Sequence, residues 1–183
     1  MKKNDIWVTT WNKLYNLSFL REFHIHFLEH VYHEDIVMHA MLALNTRSFT
    51  LTSQTTYLYN CKREDSITNM EQGYTLKHLN DLTIVFSEIR RLIQADNNLS
   101  KHLQKEINLY YLFEIYHRYL PAMYSNIKRV DLIKGLARLS QNCLPPILET
   151  RLTFKSIKRF LFLKLPFNIQ YLIKSHKYKK NRV

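Results

Sequence analysis

Along residues 6–15, Ile-Trp-Val-Thr-Thr-Trp-Asn-Lys-Leu-Tyr, aromatic and β-branched side chains crowd together, which favours extended or irregular buried chain. Ile25 and Phe27 alternate with polar neighbours, as do residues 48–52, Ser-Phe-Thr-Leu-Thr, and Tyr57-Leu58-Tyr59 is similar. Each of these stretches predicts a short strand. Between them Ser18 is placed to cap a short helix reaching about His24, with Glu22 in its first turns. His33-Glu34-Asp35 then opens a helix to about Leu44, whose apolar positions Val37, Met38, Met41, Leu42 and Leu44 form one face.

After Thr68 the period lengthens to that of a helix. Leu76, Leu79, Leu82, Val85, Ile89 and Ile93 set the rhythm of residues 71–95, and Asn97-Asn98 breaks it. A second helix over 99–120 carries Leu103, Ile107, Tyr111, Ile115 and Tyr119, and Pro121 stops or kinks it. A third follows over about 126–142, and Pro145-Pro146 marks a boundary. The tail holds a helical stretch at about 147–164, then Pro166, then a weaker one at 167–176. The fold class that results is α+β and helix-dominated, with two or three short strands inside residues 6–60. Three segments follow from it: 1–70, a helical region 71–150, and a tail 151–183.

The tail changes the picture when charge is added. Of the net +12, residues 1–150 contribute only +2, from 17 basic and 15 acidic side chains. Residues 151–183 hold 10 basic and no acidic ones. A nucleic-acid reader spreads cations over its folded face, so the balance argues for no nucleic acid. Leu152, Phe154, Ile157, Phe160-Leu161 and Leu163 interleave with Lys155, Lys158, Arg159 and Lys164. That is the pattern of an amphipathic helix lying on an anionic membrane surface. No apolar run reaches the ~18 residues of a membrane span. No signal-peptide core follows the charged start, so the expected location is cytoplasmic, peripheral at the inner face of the membrane.

Composition removes several chemistries. Gly occurs twice, at Gly73 and Gly135, too rarely for a Gly-rich phosphate loop, and neither G-x-x-x-x-G-K-[ST] nor G-x-G-x-x-G occurs. Cys61 and Cys143 form no C-x-x-C pair, which argues against a disulfide scaffold or a Cys-based zinc site. His24, His26, His30, His33 and His39 are a rival metal cluster, since His30, His33 and Glu34 can share a helical face. H-E-x-x-H is absent, however, and the spacing is irregular, so the expectation is no metal site.

Three segments carry the remaining chemistry: Trp11-Asn12-Lys13-Leu14-Tyr15 with Ser18-Phe19-Leu20; Phe27-Leu28-Glu29 with Tyr32-His33-Glu34-Asp35; and Tyr57-x-Tyr59 with Arg63-Glu64-Asp65-Ser66-Ile67-Thr68. In order and spacing they resemble the acceptor-side, C-terminal half of a family 2, GT-A type bacterial glycosyltransferase. The resemblance covers residues 7–68 and implies that 1–70 is the acceptor-side part of a GT-A domain. It implies Asp35 as catalytic base with Glu34 beside it, and Trp11, Lys13, Arg63 and Ser66 as substrate-binding residues. An inverting transfer needs such a carboxylate to take the acceptor's hydroxyl proton. Glu34 is positioned to tune it by like-charge repulsion, and the helix N-terminus favours the ionised form.

The implied reaction moves a sugar from a nucleotide-sugar to a glycan acceptor in surface polysaccharide or lipooligosaccharide biosynthesis. The implied cofactor is a divalent metal, Mg or Mn, held by a D-x-D motif on the nucleotide-binding half. No D-x-D occurs in this sequence. Asn60-Cys61-Lys62-Arg63 also stands where the family has aromatic-Arg-x-Arg. The expectation is therefore a truncated, split or fragmentary enzyme, inactive alone, whose partner is a separate nucleotide-binding half. The alternative is a non-catalytic helical adaptor that binds a partner or a membrane surface.

Overall fold

A computed structural model describes residues 10–52, 54–55, 57–58 and 74–180, and side chains as far as Lys174. The chain divides into two compact units, Met1–Glu71 and Gln72–Val183. Among the described residues seven α-helices run in order: α1 (Leu17–Glu22), α2 (Glu34–Asn45), α3 (Leu76–Ala95), α4 (Lys101–Met123), α5 (Arg129–Cys143), α6 (Phe154–Lys164) and α7 (Phe167–Lys180). A single 3-10 turn, Ile147–Glu149, lies between α5 and α6.

The expected strands are not formed, and the α+β, partial GT-A class is corrected to all-helical among the described residues. Residues 25–28 and 48–52 run outside any helix or ladder, and so do Tyr57 and Leu58; Tyr59 lies outside the described residues. The physical reason is pairing. Alternation over three to five residues fixes which side chains share a face, but a strand exists only with a partner for its N–H and C=O groups. No such partner runs beside these stretches among the described residues.

In the second unit the helical period reads out as a core. Leu79, Leu82, Val85, Phe86 and Ile89 of α3 are buried with Leu132, Leu136 and Leu139 of α5 and Leu112 and Ile115 of α4. α3 packs on both α4 and α5, and α6 lies on α4. Thr75 caps α3: its hydroxyl accepts from the His78 N–H, and the His78 ring accepts from the Thr75 N–H. His78 takes the place that Glu or Gln fills in the usual capping box. Ser100 caps α4 through its hydroxyl, which accepts from the Leu103 N–H at 3.2 Å. Pro121 neither stops nor breaks α4. It falls in the last turn, where the Tyr124 and Ser125 N–H groups close on the carbonyls of Pro121 and Ala122.

The segment after α5 is tied to α4 by polar contacts. Asn108, buried on α4, donates its amide to the Glu149 carbonyl at 2.8 Å. The Arg151 N–H reaches the Lys105 carbonyl, and its guanidinium pairs with Glu106 at 3.0 Å. Thr153 then opens α6 with a reciprocal cap, exchanging hydrogen bonds with Ser156, which is fully buried. α7 is locked by Gln170, also buried. Its amide donates to the Phe162 carbonyl at 2.9 Å, and its carbonyl accepts from the Tyr119 hydroxyl at 2.5 Å.

Candidate functional site

The residues singled out by sequence lie in the first unit, whose described residues hold α1, α2 and the chain between them. Asn16, not Ser18, caps α1; its side-chain oxygen accepts from the Ser18 and Phe19 N–H groups at 2.9 and 3.3 Å. The helix therefore starts before Ser18 and ends at Glu22. The Ile25 N–H returns to the Leu20 carbonyl at 2.8 Å, and Ile25 is the buried residue of this stretch.

Helix α2 opens where the sequence places it. His33 precedes it in the left-handed region (φ 67°, ψ 29°), with Glu34 and Asp35 in its first turn. His24 and His30 are left-handed too, at φ 50° and 61°. Residues other than glycine rarely adopt this conformation, and His is among those that tolerate it best. The inner face of α2 is Ile36, Val37, Met38, Ala40 and Met41, all buried. Glu34 and Asp35 stay partly accessible at its N-terminal end, where the macrodipole favours negative charge.

Trp11 stacks on Tyr57, ring centroids 4.4 Å apart and planes tilted by 31°. Both rings remain well exposed, so the pair presents an aromatic face to solvent. Lys13 is partly buried and donates to the Asn12 side chain at 2.7 Å. Loss of solvent pulls the Lys13 ammonium below the ordinary lysine value, and the charge of Asp35 pulls it back up. The same lysine bears on His39, which burial, and then the Lys13 charge, holds below the usual histidine range. Asp35 thus bears on Lys13, and Lys13 in turn on His39. His39 was not singled out for this chemistry. The signal that points to it is its spacing, four residues beyond Asp35 and so on the same side of α2.

Arg63 and Ser66 lie outside the described residues, so neither is placed against Asp35. A depression of about 490 Å³ in this unit is lined by Leu17, Leu20, Arg21, His24, Ile25 and His26. It touches neither Asp35 nor Lys13, so Asp35 stands on an accessible helix mouth rather than in that hollow.

Among the described residues no three His, Cys, Asp or Glu side chains converge, and the five histidines of 24–39 are not gathered into a shared ligand set. Cys143 is a buried free thiol on α5; its Sγ donates to the Thr83 carbonyl at 3.4 Å, and burial pushes it up, away from the reactive thiolate.

Among the described residues no helix is long and apolar enough to cross a membrane. No family model matches the chain, and no curated protein or solved structure matches it either.

Proposed function

We propose that residues 7–68 supply the acceptor side of an inverting sugar transfer, with Asp35 as general base. The acceptor's hydroxyl oxygen attacks the anomeric carbon of a nucleotide-sugar and forms the new C–O bond. The bond from that carbon to the nucleotide diphosphate breaks, and the hydroxyl proton passes to Asp35. Lys13 favours the charged form of Asp35 before the proton arrives. The Trp11–Tyr57 pair offers an apolar ring face of the kind on which a sugar's C–H side packs. Arg63 is assigned to the charge leaving on the diphosphate. The donor diphosphate is held by residues other than these 183, on a nucleotide-binding half that carries a D-x-D motif. The setting is surface-glycan assembly in the cytoplasm.

The observation that carries the reading is the exposed Trp11–Tyr57 ring pair, in the same unit as a partly accessible Asp35 whose charge raises the Lys13 ammonium. Leu14, Leu17, Phe49, Leu51 and Leu58 of the first unit are exposed, apolar side chains of the kind that a partner surface would cover. The test is reconstitution with a D-x-D donor half and a glycan acceptor. Asp35→Asn is expected to lower turnover by about 10²–10⁴-fold, the usual contribution of a positioned base. Unchanged turnover in that variant removes the base assignment, and binding of the donor half without any sugar transfer removes the enzymatic reading.

A further inference from the structure

The tail is not a uniform cationic end. Of its six cations whose side chains are described, three are engaged with the helices beneath them. Arg151 pairs with Glu106 at 3.0 Å. The Arg159 guanidinium lies 3.8 Å from the centre of the Phe113 ring and 5.1 Å from that of Tyr116. Lys174 donates to the Tyr116 hydroxyl at 2.6 Å and sits over the Tyr116 and Phe162 rings. These contacts, with the buried Ser156, Phe162, Leu163 and Gln170, define the inward faces of α6 and α7.

The outward faces are apolar. On α6, Phe154 (83% exposed), Ile157 (42%) and Leu161 (58%) stand three and four residues apart, the spacing that places side chains in one stripe. Lys155 and Lys158 flank that stripe on one side and Lys164 on the other, all exposed. On α7, Ile169 and Ile173 stand one turn apart and are about half exposed. Leu152, just before α6, is exposed as well. A helix that needed only to cover a core would carry polar residues here.

We infer that α6 and α7 form a monotopic docking surface for an anionic lipid bilayer. Phe154, Ile157, Leu161, Ile169 and Ile173 enter the boundary between headgroups and acyl chains, and Lys155, Lys158 and Lys164 lie at the level of the lipid phosphates. Charge complementarity selects this occupant, because residues 151–183 contain no acidic side chain. The apolar stripes select it over a nucleic acid, whose phosphates would leave Phe154 and Leu161 in water. The inference does not depend on the sugar-transfer reading.

The experiment is flotation of the full chain with vesicles of phosphatidylcholine alone and of phosphatidylcholine mixed with phosphatidylglycerol. The wild type is expected to float with the mixed vesicles and not with the neutral ones. Replacing Phe154, Ile157 and Leu161 together by Ser is expected to lower partitioning about tenfold or more, since the removed side chains supply the buried area. Lys155→Gln with Lys158→Gln is expected to weaken binding at low salt and to flatten its salt dependence. Unchanged far-UV circular dichroism establishes that the variants are folded. Equal flotation of the wild type and the triple-Ser variant overturns the inference. So does a wild type that ignores both vesicles but shifts duplex DNA in a gel.

Discussion

At Gly135 the fold depends on a missing methyl group. A Cβ built there would stand 2.4 Å from Leu79 Cδ2 and 3.0 Å from Leu79 Cγ. Leu79 is fully buried, as are its neighbours Leu82 and Leu136, so its side chain has no empty space to move into. Gly135→Ala sets two effects against each other. Removing a glycine from a helix interior favours folding by up to about 1 kcal/mol. Overpacking a closed core costs about 1–3 kcal/mol. The clash wins: the variant is expected to unfold a few degrees below the wild type by calorimetry. Gly135 is legible in the sequence only as a glycine inside a helical pattern; its reason is the approach of α3 to α5. The carboxylate pair at 34–35 was legible in full, as residue type and as position at a helix start. The His39 contribution was not, because it depends on which residues burial leaves beside Lys13.

Among elements, the helices were readable and the strands were not. α3, α4 and α5 were expected over 71–95, 99–120 and 126–142, and stand at 76–95, 101–123 and 129–143. Each repeats its apolar period over several turns, which leaves few alternatives. The boundaries moved because caps are local hydrogen-bond chemistry that a period does not contain: Asn16 displaced Ser18, and Thr75 and Ser100 each fixed a start. The strands expected at 25–27, 48–52 and 57–58 failed for the opposite reason. Their pattern was local, while their existence depended on pairing elsewhere. The cap of α6 is the element-scale test. Thr153→Ala removes the acceptor for the Ser156 N–H, bonded at 3.0 Å, and is expected to cost about 1 kcal/mol, read as a lower melting temperature in far-UV circular dichroism.

For the molecule as a whole, buried phenols set an upper pH limit. Burial pushes Tyr119 up to about 12 and Tyr111 well above the ordinary tyrosine value. A folded value above the unfolded one means that the unfolded chain loses its proton first as pH rises. The stabilising difference is whole below about pH 10 and is lost on the way to the folded values. The unfolding midpoint in urea is therefore expected to fall steeply between pH 10 and 12. Tyr119→Phe should flatten that fall while lowering stability at neutral pH, because the Gln170 carbonyl loses its buried donor at a cost of about 1–3 kcal/mol. Equal slopes for the two proteins would exclude Tyr119 as a source. The unequal settings of the tail lysines have a consequence of their own. An amine-acylating reagent applied in limiting amount to the folded chain should mark Lys155, Lys158 and Lys164 early. Lys174 should lag, its amine occupied by the Tyr116 hydroxyl and roofed by two rings, until unfolding erases the difference; peptide mass mapping would read the order of labelling directly.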